Sequence, residues 1–344
     1  MSWSKISPEV EVWNEPCLGN NKVVEGKRFM ALCLQPRANK PFRGLARQVI
    51  TREGSENVPG FLDLSKLVIV ESEDLLKWQV VGDLKIKGIE KVVENFQKDT
   101  TRFIGLEDPD ILLDEYGVLH VYFTIAYRYL EKEEYDIFLG HAFGKSLEKL
   151  NATNPLLGPI EEEFMGFKEI AFSEKSTVRY YFNLVEAVRK REAFGDSVIA
   201  CVRADRLGSG WNFEKISFYP EKSGSPWCNG HASPCRILPK EVINLNKRLR
   251  VLLINGREKN RIIDGKRRYG KFRPGLALYN TETGEIPWVD FKHLIEDPKA
   301  TTITFASDIF ALDREHILVY AHVNDSFVRV YRIELGAIKE RLPK

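Results

Sequence analysis

The stretch ITFASDIFALDREHILVYAHVNDSFVRVYRIEL, residues 303–335, predicts three consecutive β-strands separated by short polar turns. Its strands are rich in β-branched and aromatic residues, and its turns contain Asp, Asn and Ser. Four similar units precede it, at residues 70–84, 140–151, 201–216 and 276–291. Each has a strand, a small polar turn and, usually, an aromatic residue that leads into another strand. The terminal stretch therefore resembles a last copy of this unit that lacks its fourth strand.

The repetition, about every 60 to 75 residues, favours a β-propeller. A single meander of strands cannot bury both of its faces, whereas several meanders arranged radially bury one another. The N-terminal strand EVEVW, residues 9–13, is a candidate for the missing strand that closes the ring. Four complete units and the divided one predict an all-β, five-bladed β-propeller, with residues 1–344 forming a single domain. A β-sandwich, which also has many short strands, is the alternative.

Composition restricts the partners of the chain. The 51 basic and 49 acidic residues give a net charge of +2, so no general electrostatic field attracts nucleic acid or anionic lipid. The N-terminal residues lack the apolar core of a signal peptide, and no uncharged run approaches the roughly 18 residues that span a bilayer. We therefore expect a cytoplasmic protein with neither a nucleic-acid nor a membrane partner.

The spacing of cysteine and histidine residues does not indicate a metal site. The five cysteines are scattered without paired short spacing, and no HExxH motif is present. The basic run at residues 257–273 contains Asp-Gly near its centre, so a hairpin explains it better than nucleic-acid binding does. We expect reduced cysteines and no bound metal.

Three carboxylates, Glu107, Asp108 and Asp110, are crowded into four positions of IGLEDPDILLDEYGVLHVYFT, residues 104–124. Pro109 favours an extended backbone at Asp108, and a hairpin turn follows. If the first strand of this hairpin runs beside a propeller axis, the carboxylates lie at the mouth of the central funnel. Converging carboxylates raise one another's pKa, as the general acid of a glycosidase requires. Alternatively, the aspartates cap turns and Glu107 is solvated.

The motif GLEDPDI resembles the G-x-E-D-P-R-I signature of the mannoside phosphorylases, glycoside hydrolase family 130, whose members are five-bladed propellers. Later segments are similar to further motifs of that family: GFKEIAF at 166–172, NGHASPCRILPK at 229–240, FRPGLALYNTETG at 272–284 and the last blade from residue 303. Their order and spacing hold from about residue 28 to residue 335. The resemblance implies an enzyme that cleaves a β-mannoside with inversion, by phosphorolysis or hydrolysis. It also implies an oligosaccharide substrate, no cofactor, and inorganic phosphate as the co-substrate of a phosphorylase.

The resemblance also implies roles for individual residues. It makes Asp108 the general acid, Lys168 a ligand of phosphate, and Asp325 a ligand of a sugar hydroxyl. Two departures from the family pattern add negative charge where phosphate would bind: the arginine of the signature is Asp110 here, and a glycine of the last blade is Asp308. Both departures count against phosphorolysis.

Basic residues near the predicted funnel can offset this charge. The planar fork of arginine binds phosphate, carboxylate and sugar hydroxyls, and the phosphate-binding candidates of this type are Arg43, Arg47, Arg128 and Arg179. A structural role is the alternative for each. His231 lies in a Gly-Asn and Ser-Pro loop, where a core role is not expected, so we predict that it binds substrate. Trp227, beside the same loop, is a candidate sugar platform.

An inverting hydrolase also needs a second carboxylate, about 6.5 to 9.5 Å from its acid. The candidates are Glu186, Asp308, Asp325 and Glu169, of which we place Glu186 and Asp308 with Asp108 as catalytic. Glu107 and Asp110 are expected to bind substrate. Two other functions remain open: a furanosidase of the arabinan and xylan type, for whose N-terminal base the sequence offers only Glu15, and a non-catalytic propeller that binds sugars or proteins. Homo-oligomerisation is also left open.

Overall fold

The computed structural model describes residues 2–19, 27–37, 40–54, 61–132, 134–177, 179–190 and 196–343. It begins with three short strands: β1 (Trp3–Lys5), β2 (Val10–Trp13) and β3 (Leu18–Gly19). Antiparallel sheets of four strands follow, which we call blades and number in chain order. Blade 1 consists of β4 (Arg28–Leu34), β5 (Phe42–Glu53), β6 (Leu62–Ser72) and β7 (Gln79–Asp83).

The next two blades repeat this arrangement. Strand β8 (Ile86–Lys87) and helix α1 (Ile89–Phe96) lead into blade 2, which consists of β9 (Thr101–Leu113), β10 (Leu119–Tyr129), β11 (Tyr135–Gly144) and β12 (Leu150–Ala152). Blade 3 consists of β13 (Phe164–Ala171), β14 (Tyr181–Arg189), β15 (Ser197–Arg206) and β16 (Ser209–Phe218).

The last two blades differ from the others in their connections. Blade 4 has β17 (His231–Ile237) and β18 (Leu249–Arg257), then the inserted hairpin β19 (Arg261–Ile263) and β20 (Lys266–Arg268), then β21 (Phe272–Asn280) and β22 (Trp288–His293). Blade 5 has β23 (Thr304–Ala311), β24 (His316–Val323) and β25 (Phe327–Glu334), followed by helix α2 (Leu335–Arg341). Neither helix of the described residues is long and apolar enough to cross a membrane.

The blades are joined into a ring. The first strand of each blade is its innermost one, and these strands contact one another in the order β4, β9, β13, β17, β23 and back to β4. Strand β2 supplies the fourth strand of blade 5, with Val10 opposite Ile333 and Val12 opposite Tyr331. The predicted all-β fold, a five-bladed β-propeller, is confirmed.

The hydrophobic core is divided among the junctions between blades. A cluster of buried side chains lies at each junction, such as Cys33, Leu67 and Val121 between blades 1 and 2. Four further clusters fill the remaining junctions in the same way. Burial of each such aliphatic side chain contributes about 1.5 to 3 kcal/mol. The packing between blades therefore leaves the axis of the ring free for polar side chains.

Each innermost strand has a break in its pairing register. The breaks lie between Met30 and Cys33, Glu107 and Asp110, Lys168 and Ile170, Pro234 and Arg236, and Ala306 and Asp308. A β-bulge adds a residue to one strand and changes the direction of the side chains beside it. Ala31, Asp108 and Glu169, which lie in three of these bulges, have φ angles of 48°, 45° and 46°. In blades 2 and 3 the bulges lie at the cavity-lining residues Asp108, Lys168 and Glu169.

Candidate active site

A cavity of about 530 Å³ lies at the axis of the propeller. All five innermost strands contribute to it: Met30, Asp108, Lys168, His231 and Phe305 are lining residues, one from each blade. This volume is within the range of about 300 to 1,000 Å³ that is usual for small-molecule sites. Among the residues that the structure describes, no group of His, Cys, Asp and Glu is arranged to hold a metal ion.

Glu107 and Asp108 lie side by side in the cavity and share one arginine. Arg47 donates a hydrogen bond from Nη2 to Glu107 Oε1 at 2.6 Å and one from Nη1 to Asp108 Oδ1 at 3.1 Å. Burial raises the pKa of Glu107 to about 7, and the charge of Asp108 adds to this effect while Arg47 opposes it. Although burial acts in the opposite direction, Arg47 and Lys168 lower the pKa of Asp108. Glu107 is therefore the member of the pair that keeps its proton up to the higher pH.

Lys168 lies between two carboxylates without a hydrogen bond to either. Its Nζ is 3.9 Å from Asp108 Oδ2 and 3.8 Å from Glu186 Oε1, and both distances exceed those of hydrogen bonds. No other hydrogen bond joins Nζ to the described part of the chain, and 27% of the side chain is exposed. Burial opposes ionisation, but Glu186 and Asp108 outweigh it and raise the pKa of Lys168. The cavity therefore contains an ammonium group whose donors are available to a ligand.

Glu186 is held in place by two neighbours. Ser197 Oγ donates to Glu186 Oε1 at 2.7 Å, and His231 Nε2 lies 3.2 Å from the same oxygen. The backbone N–H of Ser197 donates to His231 Nδ1 at 3.3 Å, so neutral His231 carries its proton on Nε2 and donates to Glu186. Despite the effect of burial, Lys168 and His231 lower the pKa of Glu186 to about 2. Glu186 is therefore a fixed, ionised carboxylate.

Blade 5 repeats this arrangement with other residues. The backbone N–H of Ala31 donates to His322 Nδ1 at 3.4 Å, and His322 Nε2 lies 3.2 Å from Asp325 Oδ1. Burial opposes the effect, but His322 lowers the pKa of Asp325. Both residues line the cavity.

Four rings from blades 4 and 5 form a continuous series along the cavity: His231, Phe272, Phe305 and His322. Phe272 lies edge-on to His231 with 5.0 Å between ring centroids, and Phe305 lies 5.7 Å from Phe272. Phe305 is in turn stacked on His322 at 5.1 Å. We call Phe272 and Phe305 the aromatic wall. It connects the histidines that orient Glu186 and Asp325.

Asp110 and Asp308 are placed differently from the sequence-based expectation. Neither lines the cavity, because both bind Arg236: its Nη1 donates to Asp110 Oδ2 at 2.8 Å and its Nε to Asp308 Oδ1 at 2.7 Å. The backbone N–H of Leu34 donates to Asp308 Oδ2 at 2.7 Å. Because neither aspartate lines the cavity and both bind Arg236, the argument that they repel phosphate is weakened. The prediction of a substrate-binding Asp110 and a catalytic Asp308 is corrected accordingly.

Trp227 does not lie where a sugar platform would have to be. It is buried, with 3% of its surface exposed, and its indole N–H donates to the backbone oxygen of Asp290 at 2.9 Å. A Cβ added at Gly256 or Gly275 would lie within 2.5 Å of the indole ring, so these glycines create the space that the ring fills. Trp227 packs in the core between blades 3 and 4 and offers no platform to a sugar.

Three of the four candidate arginines lie away from the cavity. Arg43 pairs with Glu71 at 3.0 Å and with Glu148. Arg128 is two residues beyond Ala126, the last cavity-lining residue of β10. Arg179 lies in the turn before β14, where its backbone N–H donates to Ser176 O at 3.0 Å. The structure brings only Arg47 of this group to the site.

Several cavity residues escaped the sequence analysis. They include Asp63, which Arg52 binds through two 2.7 Å hydrogen bonds, and also His322, Phe272 and Phe305. The strands that carry the aromatic residues were identified, but an aromatic residue in a strand fits a core position equally well. Nothing in the sequence distinguishes a cavity-facing phenylalanine from a packed one.

The fold and the site define a five-bladed propeller whose axial cavity holds several carboxylates around an ammonium group. No protein-family model and no curated protein matches the sequence. The chain is, however, similar to solved structures over most of its length. One is a β-1,2-mannobiose phosphorylase from Listeria innocua in complex with β-1,2-mannobiose, with 13% identity, a TM-score of 0.62, and coverage of 98% of this chain and 94% of that one.

Two further structures show the same similarity. A mannose phosphorylase from Leishmania mexicana, in complex with phosphate ion, has 10% identity and a TM-score of 0.60, with coverage of 95% of this chain and 91% of that one. A third is described in terms of glycoside hydrolases within the GH130 family of mannoside phosphorylases that target β-1,2-mannosidic linkages in Candida mannan. It has 14% identity, a TM-score of 0.59, and coverage of 90% of this chain and 84% of that one. At these identities the likeness shows a shared fold.

Proposed function

We propose that this protein is a carbohydrate-active enzyme that cleaves the glycosidic bond of a β-mannoside with inversion, by phosphorolysis in preference to hydrolysis. The observation that carries the proposal is the position of Lys168. Its ammonium group lies between Asp108 and Glu186 with all three of its N–H donors free of hydrogen bonds within the described residues. A phosphate oxygen is a suitable acceptor for such donors. The family resemblance of the EDP motif and the shared fold with mannoside-cleaving enzymes support the same function.

Asp108 is the proposed general acid. Burial opposes ionisation of Asp108, but Arg47 and Lys168 lower its pKa. An anion bound beside Lys168 would offset part of this positive charge, so the pKa of Asp108 would rise and the carboxylate would take up a proton. Asp108 then donates that proton to the leaving oxygen as the bond to the anomeric carbon breaks, and a phosphate oxygen forms the new bond from the opposite face. The products are a sugar phosphate of inverted configuration and the free leaving group.

Hydrolysis is the second candidate, and Glu186 is the observation that favours it. This carboxylate is ionised, lines the cavity, and has an Oε2 atom without a hydrogen-bond partner among the described residues. Such an oxygen can accept a proton from an attacking water, as the base of an inverting hydrolase does. Lys168 would then hold Glu186 ionised instead of binding phosphate.

The test is the release of reducing sugar or sugar phosphate from a panel of β-linked manno-oligosaccharides, with and without inorganic phosphate. Arabinan and xylan oligosaccharides in the panel test the furanosidase alternative. Wild type is compared with Asp108→Asn and with Asp83→Asn, which removes an exposed carboxylate of the outer strand β7. We expect sugar phosphate only when phosphate is present, no product from Asp108→Asn, and unchanged activity in Asp83→Asn.

The other outcomes are equally informative. Reducing sugar released without phosphate would identify a hydrolase and assign the base to Glu186. Cleavage of the arabinan or xylan substrates alone would favour the furanosidase. Binding of the oligosaccharides without any cleavage would overturn the enzymatic proposal in favour of a sugar-binding propeller.

A further inference from the structure

The cavity combines a charged region with apolar surfaces, and we call Asp108, Lys168 and Glu186 the charged floor. Six aliphatic side chains line it on the side of blades 1 to 3, and we call them the apolar wall: Leu62, Ile104, Ala126, Ile137, Met165 and Val188. They form two small clusters that are separate from the cores between blades, and Tyr135 packs against both. These six residues are 3–8% exposed, and all of them line the cavity. Three charged lining residues of this side, Lys132, Glu134 and Lys190, lie just outside the ends of β10, β11 and β14 and are exposed.

The position of the apolar wall follows from the strands that carry it. Ile104 precedes Asp108 by four residues in β9, and Met165 precedes Lys168 by three in β13. Since a strand rises about 3.3 Å per residue, the wall begins on the order of 10 Å from the reacting groups. The aromatic wall of Phe272 and Phe305 also lines the cavity, on the side of blades 4 and 5. A ligand that extends from Asp108 therefore passes between two apolar surfaces.

The two walls are poorly suited to a second polar sugar. A sugar hydroxyl that loses its water without gaining a partner costs about 1 to 3 kcal/mol, and the aliphatic side chains of the apolar wall have no donors or acceptors. A hydrocarbon group in the same place gains about 25 cal/mol for each Å² that it buries. Pockets that combine an apolar lining with a few convergent polar groups usually bind ligands with the same division of polarity.

From this arrangement we infer that the natural substrate carries a hydrophobic aglycone, an alkyl or aryl group, which lies between the apolar wall and the aromatic wall while its sugar contacts the charged floor. The inference rests on the proposed function, because it assigns the leaving-group side of the same site. It specifies a class of substrate, a glycoside with a hydrophobic leaving group, in place of an oligosaccharide composed only of sugars.

Binding to the inactive Asp108→Asn protein tests the inference without turnover. Calorimetry compares n-octyl with methyl β-D-mannopyranoside, and n-octyl with methyl β-D-glucopyranoside, each below the concentration at which micelles form. The matched variants Met165→Gln and Val188→Thr introduce polar atoms into the apolar wall with little change of volume. We expect the octyl glycoside to bind at least tenfold more tightly than the methyl glycoside, and each wall variant to reduce this ratio to below threefold while methyl glycoside affinity stays constant.

The outcomes separate this inference from the proposed function. Methyl mannoside binding with no gain from the octyl group, or an octyl gain that both wall variants retain, would overturn the inference and leave the proposed function standing. An octyl gain for glucosides but no mannoside binding would support the hydrophobic aglycone and overturn the mannoside assignment. Failure of all four glycosides to bind would overturn both. Thermal melting of the variants checks that the fold is preserved.

Discussion

Arg236 on blade 4 binds Asp110 on blade 2 with both of its terminal nitrogens. Its Nε donates to Asp308 on blade 5 at 2.7 Å, so three of the five innermost strands meet in one buried cluster. Burial raises the pKa of Asp110 to about 7, with Asp308 adding to the effect and Arg236 opposing it. Buried charges are costly unless each is compensated. Arg236 therefore supplies one positive charge to two carboxylates, and the raised pKa of Asp110 reduces the negative charge that remains.

Replacing this arginine should destabilise the propeller. Arg236→Met leaves two buried carboxylates without a counter-charge, and loss of one partner of a buried ion pair typically costs about 3 to 5 kcal/mol. Denaturant unfolding measures the effect, with Arg102→Met, an exposed arginine of β9, as the control. The triple variant Asp110→Asn, Arg236→Met, Asp308→Asn should recover much of the loss. A change below about 1 kcal/mol in Arg236→Met would contradict this account.

Lys168→Met tests the anion-binding role of the ammonium group. Nζ makes no hydrogen bond within the described residues, but, despite the effect of burial, its charge lowers the pKa of Asp108 and Glu186. We therefore expect some loss in the free energy of unfolding, and thermal melting checks that the variant is folded under the assay conditions. If phosphate binds there, kcat/KM for phosphate should fall by about 100-fold, equivalent to roughly 2.7 kcal/mol. The control is Lys66→Met, which removes a surface lysine that pairs with Asp83. An unchanged phosphate dependence in Lys168→Met would remove Lys168 from the mechanism.

The pH dependence of cleavage should report Glu107. Its raised pKa, about 7, means that the carboxyl is protonated below neutral pH and ionised above it. An additional negative charge beside Asp108 disfavours binding of an anion, so kcat/KM should decrease as the pH rises through about 7. Glu107→Gln keeps this position neutral at every pH and should abolish that decrease. Profiles from pH 5 to 9 measure both proteins, and an identical decrease in Glu107→Gln would assign it to another group.

The sequence predicts the blades because strand patterns are local, but it does not predict where their side chains point. Asp108 and Asp110 are two residues apart, so simple alternation places both on one face of β9. The bulge between Glu107 and Asp110, with a φ angle of 45° at Asp108, breaks this alternation. Asp108 then faces the cavity while Asp110 reaches Arg236. A bulge of this kind has no pattern in the sequence by which it can be recognised.

Distance along a strand explains a second difference. Arg43 and Arg47 lie four residues apart on β5 and were equal candidates for the site. At about 3.3 Å per residue, their positions differ by roughly 13 Å, and only Arg47 reaches Glu107 and Asp108. The sequence identifies the strand and the residue type, but it does not show which residues along the strand lie beside the cavity. For the same reason it brings Lys168, Glu186 and His231 to the correct region without establishing their mutual contacts.

Removal of the N-terminal strand tests how the ring is held together. Val10 and Val12 of β2 are almost completely buried against blade 5, and Arg329 donates to the backbone oxygens of Trp13 and Asn14 at 3.1 and 2.7 Å. Burial of two valines and a tryptophan contributes about 5 kcal/mol or more, comparable with the whole stability of many domains. Deletion of residues 2–13 should therefore abolish cooperative thermal melting.

A shorter deletion provides the control for this experiment. Removal of residues 2–5 eliminates only β1, which pairs with β2 at the outer edge of blade 5, and should lower the melting temperature by a few degrees. Circular dichroism follows both proteins. If the longer deletion melts as cooperatively as the full chain and within a few degrees of it, β2 is a peripheral addition, and blade 5 is stable with three strands. Loss of cooperativity in the longer deletion alone would show that the two ends of the chain must meet for the propeller, and hence for its axial cavity, to form.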